Sequence, residues 1–358
     1  MKHLYSIIAI CSISFFLSCG GDDYHGIELI EEIPIDNGIV ISDSTKNEEN
    51  TNKQEPDSDN DTTTYSGEKK YLLFEEYSSG IIKHQSAACY GDYVFFLLDG
   101  MKEVQMYNIQ KKKDIFTLTQ TALGQASVYH CNQSCFGKEK YHPEDPFPLL
   151  YVSMFQASGR CSSMVYRILP NWNTASDEYN SFSLDLVQRI YYPKASNTNA
   201  LYYVNAVIDT INNCIYTYSS NSYPSTINYL KCQISKFPLP DAHSGNVVFE
   251  DKDIIESYAV DAASANMQGG AIDNNMLYIG RGYPGAGYVN LYIIDLLEKR
   301  IKYNVDLLNN GFYEEPEGAF FYNGILYIST SYYKIYQFLF NSESCNAKTI
   351  SIPYNISE

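Results

Sequence analysis

Six side chains that can trade protons or hydrogen bonds stand near equivalent places in a repeated pattern: Gln85, His130, Asn132, Asn205, Gln268 and Glu317. Each leads into small residues, a turn and a strand that carries an aromatic, as in QGGAIDNNMLYIG from Gln268 and EGAFFYNGILYIS from Glu317. Amides and carboxylates gathered round one opening offer donors and acceptors, which suits a polyhydroxylated ligand or a cation. Oxygen groups favour Ca²⁺ over a transition metal, although a single carboxylate makes a weak site. A catalytic reading makes Glu317 the acid and His130 the base. Glycosidases need two carboxylates at a set separation, and Glu314 and Glu315 beside Glu317 are expected to be solvated. A purely structural reading gives the same side chains to exposed backbone groups and channel water. Gly269, Gly270 and Gly318 remove side-chain bulk beside them and so permit close approach of a ligand or of neighbouring backbone.

The elements that must position these residues are strands. From Gln85 to Phe95, Gln268 to Tyr278 and Glu317 to Tyr327 the offset is ten residues each time. A second strand follows in every unit: Met106–Ile109, Val165–Ile168, Lys231–Ile234, Leu291–Ile294 and Ile335–Phe338. A third closes most units, as at Asp114–Leu118 and Lys302–Asp306. Period-two patterning with Gly and Asn at the turns marks antiparallel sheets. Successive aromatic anchors lie 49 to 65 residues apart, the size of a four-stranded propeller blade with its loops. A β-sandwich would not repeat one strand-turn-strand unit five times. The expectation is therefore an all-β propeller of five blades, or six if Lys70 to Lys83 begins another. KKYLLFEEY near residue 70 is expected to close the ring beside residues 348–353 and so remove an exposed edge. The first strand of each blade lines the channel, which brings the six polar residues to one mouth.

QGGAIDNNMLYIGRG and EEPEGAFFYNGILYIS, with His130-Cys131-Asn132, resemble the propellers of teichoic-acid-biosynthesis-type proteins and phage receptor-binding proteins. The resemblance extends from about residue 70 to 350 and implies a five-bladed propeller with a recognition role. The insertion after Asn132 departs from that pattern.

The N-terminus reads as an address. Lys2 precedes a short apolar stretch, Leu4 to Leu17, which fits a secretory signal over residues 1–18 better than a membrane span. Phe16-Leu17-Ser18-Cys19 resembles a lipobox, which implies a lipid on Cys19, and the following Gly20-Gly21-Asp22-Asp23 resembles signals for export to the outer cell surface. Residues 19–68 then form an acidic, polar segment that cannot bury enough apolar surface to order itself. As a coil, the roughly 45 residues from Gly20 to Tyr65 span roughly 35–40 Å. The propeller is assigned to residues 69–358.

Charge follows the same division. Of the formal −17, residues 20–65 contribute −11 and residues 66–358 only −7, offset by Lys2. With Lys111-Lys112-Lys113 as the one basic cluster, the footprint for nucleic acid is missing.

Of nine cysteines, seven remain once Cys11 and Cys19 are set aside, an odd number for an oxidising compartment. Cys131 and Cys135, flanked by His130 and His142, admit a disulfide, buried thiols or zinc, and their spacing fits no structural zinc pattern well. No nucleophile elbow or P-loop is present. RGYPGAG at residues 281–287 lacks the Lys and Ser/Thr of a phosphate loop and reads as a hairpin. Tyr283, Tyr288, Tyr313, Tyr332 and Tyr333 are placed in loops, where their rings stack on a partner or pack between blades. The sequence thus points to a lipid-anchored outer-membrane protein whose propeller binds a carbohydrate or protein. The alternatives are a hydrolase or lyase using His130 and Glu317, and a structural subunit of an outer-membrane complex.

Overall fold

The computed structural model describes residues 72–74, 84–98, 101, 103–119, 130–155, 161–195, 201–220, 231–264, 266–308, 312–331 and 335–338. Among them lie 21 strands arranged in five sheets. Blade I is β2 (His84–Tyr90), β3 (Tyr93–Leu98), β4 (Glu103–Asn108) and β5 (Lys113–Thr119). Blade II is β6 (His130–Phe136), β7 (Leu150–Phe155), β8 (Ser162–Asn173) and β9 (Glu178–Tyr191), with the short β13 (Val247–Val248) added in parallel to β9. Blade III is β10 (Tyr202–Asp209), β11 (Cys214–Ser220), β12 (Lys231–Pro238) and β14 (Glu256–Ala263). Blade IV is β15 (Met267–Asp273), β16 (Met276–Tyr283), β17 (Tyr288–Asp295) and β18 (Arg300–Asp306). Blade V is β19 (Pro316–Tyr322), β20 (Ile325–Thr330), β21 (Ile335–Phe338) and β1 (Leu72–Phe74). The fold is a five-bladed β-propeller.

Blade V takes its outermost strand from the start of the propeller. Leu72, Leu73 and Phe74 pair antiparallel with Gln337, Tyr336 and Ile335. The expected closure is present, but its partner is β21; residues 348–353, the expected neighbours, lie outside the described residues. Closing the ring this way covers the edge that β21 would otherwise present.

Five buried apolar clusters hold the ring, one at each blade interface. Phe95, Met106, Phe136 and Phe182 fill the I–II interface; Val94, Phe96, Phe320 and Tyr327 fill V–I. A blade is thus buried on both faces, which is why β3 reads as the near-continuous apolar run YVFFLL instead of alternating. Alternate side chains on one strand serve different neighbours: Phe95 faces blade II and Phe96 faces blade V.

The turns repeat as well. In blades I, IV and V the β2–β3, β15–β16 and β19–β20 hairpins turn through left-handed residues at Gly91, at Asn274-Asn275 and at Asn323-Gly324. These three blades also share the ten-residue offset. Blade II departs from them, since residues 137–149 are inserted between β6 and β7. The insertion braces a long hairpin: β8 and β9 run to 12 and 14 residues and overhang β7, whose pairing ends at Leu150↔Tyr166. Asp145 of the insertion binds Arg167 of β8 in two places, at 2.9 Å to Nε and 2.6 Å to Nη2, and also accepts the His142 amide at 3.0 Å. Burial opposes the charge on Asp145, but the Arg167 guanidinium and the His142 N–H outweigh it and hold the carboxyl below its ordinary range.

Candidate functional site

All five innermost strands carry a break in register near their starts. It falls between His84 and Ser86, His130 and Gln133, Tyr202 and Asn205, Met267 and Gly270, and Pro316 and Gly318. Such bulges insert unpaired residues and re-aim their side chains. Gln85, Asn132, Gln268 and Glu317 sit within these breaks and Asn205 directly after one, so the repeat seen in the sequence is a repeated bulge. His130 opens β6; its side chain is outside what the structure describes.

Of the six, Gln85 and Glu317 are bonded to each other, Gln268 binds beside them, and among the described residues the side chains of Asn132 and Asn205 are not joined to the others. Gln85 of blade I donates from Nε2 to Glu317 Oε1 of blade V at 3.3 Å. Gln268 of blade IV donates from Nε2 to Glu315 Oε1, also of blade V, at 2.8 Å. Glu317 is 0% exposed and Gln85 1%. Glu314 and Glu315, expected to be solvated, are buried too, because β19 enters at the axis with Pro316 packed against Gly280.

Three residues complete the network that the sequence pattern did not nominate: Gln133, Tyr218 and Glu315. Gln133 of blade II reaches blade IV, donating from Nε2 to Gly270 O at 2.8 Å and accepting the Gly270 amide at Oε1 at 2.6 Å. Tyr218 of blade III donates to Gln268 O at 2.6 Å and stands 3.3 Å from Gln133 Oε1. Complete burial pushes the Tyr218 phenol well above its usual range, so it remains a donor. One sequence signal marks Gln133: Gln133-Ser134 repeats Gln85-Ser86. The insertion that follows β6 hides it by spoiling the count to the next aromatic.

The glycines resolve in favour of neighbouring backbone. A Cβ on Gly269 would collide with Glu317 O and the Gly318 Cα, and one on Gly318 with the Ala87 amide and Ser329 Oγ. Inner strands of blades IV, V and I therefore touch directly at the axis. The oxygens there that have no hydrogen-bond partner include the acceptors Gln85 Oε1, Gln268 Oε1 and Asn132 Oδ1 and the hydroxyls of Ser86, Ser134 and Ser329, a set that suits a hard cation or a water site. Among the described residues, no group of three or more His, Cys, Asp or Glu could hold a metal ion.

Of the cysteines, Cys135 touches this network through Gln133. None of the six within the described residues forms a disulfide, and Cys345 lies outside them. Cys131 and Cys135 sit four positions apart on β6, about 13 Å along an extended strand, beyond the reach of a bridge between them. Burial pushes the Cys135 thiol up to about 12, partly opposed by the Ile208 amide and Gln133. Of the tyrosines placed in loops, Tyr283 and Tyr288 are instead paired strand residues at the mouth of the RGYPGAG hairpin, with the Arg281 guanidinium 4.0 Å from the Tyr288 ring centroid. Tyr313 is exposed, and Tyr332 and Tyr333 lie outside the described residues.

No protein-family model matches the chain, and no curated protein matches it in sequence. Solved structures do. Glutaminyl cyclase from Myxococcus xanthus is 8% identical with a TM-score of 0.41, the match covering 75% of this chain and 97% of that one. Apo AztD from Citrobacter koseri is 11% identical with a TM-score of 0.29, covering 63% of this chain and 47% of that one. The chain is similar to these proteins at the level of chain course only, and its architecture is that of a five-bladed β-propeller.

Proposed function

We propose that the protein is a recognition module: a propeller that binds a carbohydrate or protein partner without transforming it, held at the outer membrane by lipid on Cys19 and the acidic segment after it. The observation that carries this reading is the state of Glu317. A catalytic acid must come within hydrogen-bond reach of its substrate. Glu317 is fully buried, its carboxylate accepts from Gln85, and Gln133 crosses the axis from blade II to blade IV. In this reading the ring clasps the blades and the partner is met on exposed surface. The test presents glycans and peptides to the intact protein and to Glu317→Gln. Retention by both, with no product from either, supports recognition; product from the wild type that vanishes with Glu317→Gln sinks it. Anchoring is tested separately by feeding cells an azido fatty acid, with label expected on the wild type and absent from Cys19→Ala.

A further inference from the structure

Aromatic side chains form a partly exposed row across blades I and II, on the face opposite the ring. Trp172, the one tryptophan of the chain, is 48% exposed near the tip of the overhanging β8–β9 hairpin. It meets Tyr179 edge to face at 4.9 Å; Tyr179 meets Tyr93 at 5.2 Å, Tyr93 meets Phe147 at 5.7 Å, and Phe147 meets Tyr90 at 6.1 Å. Tyr90 ends the row 40% exposed, with Phe147 buried as its floor. The row is assembled from β2, β3, the insertion and the hairpin, and the Asp145–Arg167 pair fixes the last two against each other.

A contiguous run of partly exposed aromatic rings is the kind of surface that marks an interaction site. Its surroundings indicate the ligand. Beside the row, Lys111 and Lys113 both bind Glu178, at 3.5 and 2.6 Å, and the same hairpin tip carries exposed Asn171 and Asn180. Of the exposed aliphatic side chains, Ile211, Ile255 and Leu297 lie on blades III and IV, and Val248 pairs with Tyr191 at the far end of β9 from Tyr179. Flat rings that share a hairpin tip with amide and charged side chains match a ligand that offers C–H faces and hydroxyl edges together. We infer that this row is the binding site for a saccharide chain. The inference rests on the recognition reading and gives that reading a site and a ligand class.

Because Trp172 is the sole tryptophan, its fluorescence reports this site alone. The intact protein is titrated with laminarin, dextran, xylan and polygalacturonate, and binding is measured in parallel by calorimetry. At least one polymer is expected to shift Trp172 emission saturably, with affinity at least tenfold weaker in Tyr90→Ala, restored in Tyr90→Phe and lost in Trp172→Ala. Both sites are at the surface, so an unchanged thermal midpoint shows that the variants fold. If the wild type binds a glycan and the aromatic variants bind it equally, the row is overturned while recognition stands. If none of the four polymers binds, or only a proline-rich peptide does, the saccharide assignment is overturned. Conversion of a glycan to product would instead overturn recognition.

Discussion

Gln133 and Gly270 exchange two hydrogen bonds across the propeller axis, Nε2 to the Gly270 carbonyl at 2.8 Å and the Gly270 amide to Oε1 at 2.6 Å. They belong to blades II and IV, so the bond skips blade III and passes over the centre. With Tyr218 donating to Gln268 O, Gln268 to Glu315 and Gln85 to Glu317, side chains from all five blades take part in hydrogen bonds between blades.

Gln133→Leu keeps most of the volume and removes both bonds. A buried amide or carbonyl left unsatisfied costs about 1–3 kcal/mol. The expected loss is about 3 kcal/mol, read as a lower urea midpoint at unchanged slope. A midpoint like that of the wild type would show that Gln133 is not a clasp.

Two glycines separate close packing from backbone freedom. Gly318→Ala forces a methyl group onto the Ala87 amide, with backbone on one side and Ser329 on the other. About 3 kcal/mol or failure to accumulate folded protein is expected. Gly287→Ala meets nothing within 4 Å but must hold φ near +77°, so about 1 kcal/mol is expected. Thermal melts of the two proteins rank them, and the reverse order would refute direct strand contact at the axis.

Stability should fall in acid through His84. Burial, opposed in part by the Gln105 side chain, lowers its pKa from 6.5 to about 3, with the ring stacked on Phe96 at 4.4 Å. Between those values the unfolded chain binds the proton and the folded one does not. The contribution of neutral His84 is therefore complete above pH 6.5 and is lost progressively as pH falls toward 3, on the order of 5 kcal/mol in full. Unfolding measured from pH 7 to pH 4 should show a shallower decline in His84→Phe; parallel curves would exclude this origin.

Asp145 and Arg167 should act as a brace. Asp145 is buried and Arg167 partly exposed, so losing the carboxylate removes charge-assisted hydrogen bonds at about 1.5–3 kcal/mol. Asp145→Asn is expected to lower stability and to raise protease cleavage within the β8–β9 hairpin ahead of global unfolding. Cleavage at the wild-type rate would mean that the hairpin holds without the insertion.

Thiol chemistry gives a further check. The thiols of Cys135 and Cys232 are pushed up to about 12 by burial, so neither supplies thiolate at neutral pH. Iodoacetamide should leave both unmodified in native protein and label both after unfolding, as read by peptide mass spectrometry. Rapid native labelling of either would contradict the packing.

Much of the architecture was legible because it is local. The ten-residue offset from Gln85, Gln268 and Glu317 reflects one hairpin built three times, with left-handed turns at Gly91, Asn274-Asn275 and Asn323-Gly324. Those residue types carry their backbone preference wherever they stand, and period-two patterning carries the strand. The closing strand was visible as an apolar run near residue 70, but its partner was not, because any strand edge in the last blade accepts the same backbone bonds. Gln85, Gln268 and Glu317 could be nominated from spacing alone. Gln133 could not, since an insertion has no period, and Glu315 looked solvated because burial at the axis depends on how five strands converge. Sequence by itself thus determined the repeated unit, the turns and the polar start of each inner strand, which follow from short-range preferences. Only the tertiary structure decided that Gln85 binds Glu317 and Gln268 binds Glu315 between blades, and that Trp172 and Tyr90, 82 residues apart in the chain, end one aromatic row. Both depend on contacts between blades, and no local preference encodes which distant side chain will stand opposite.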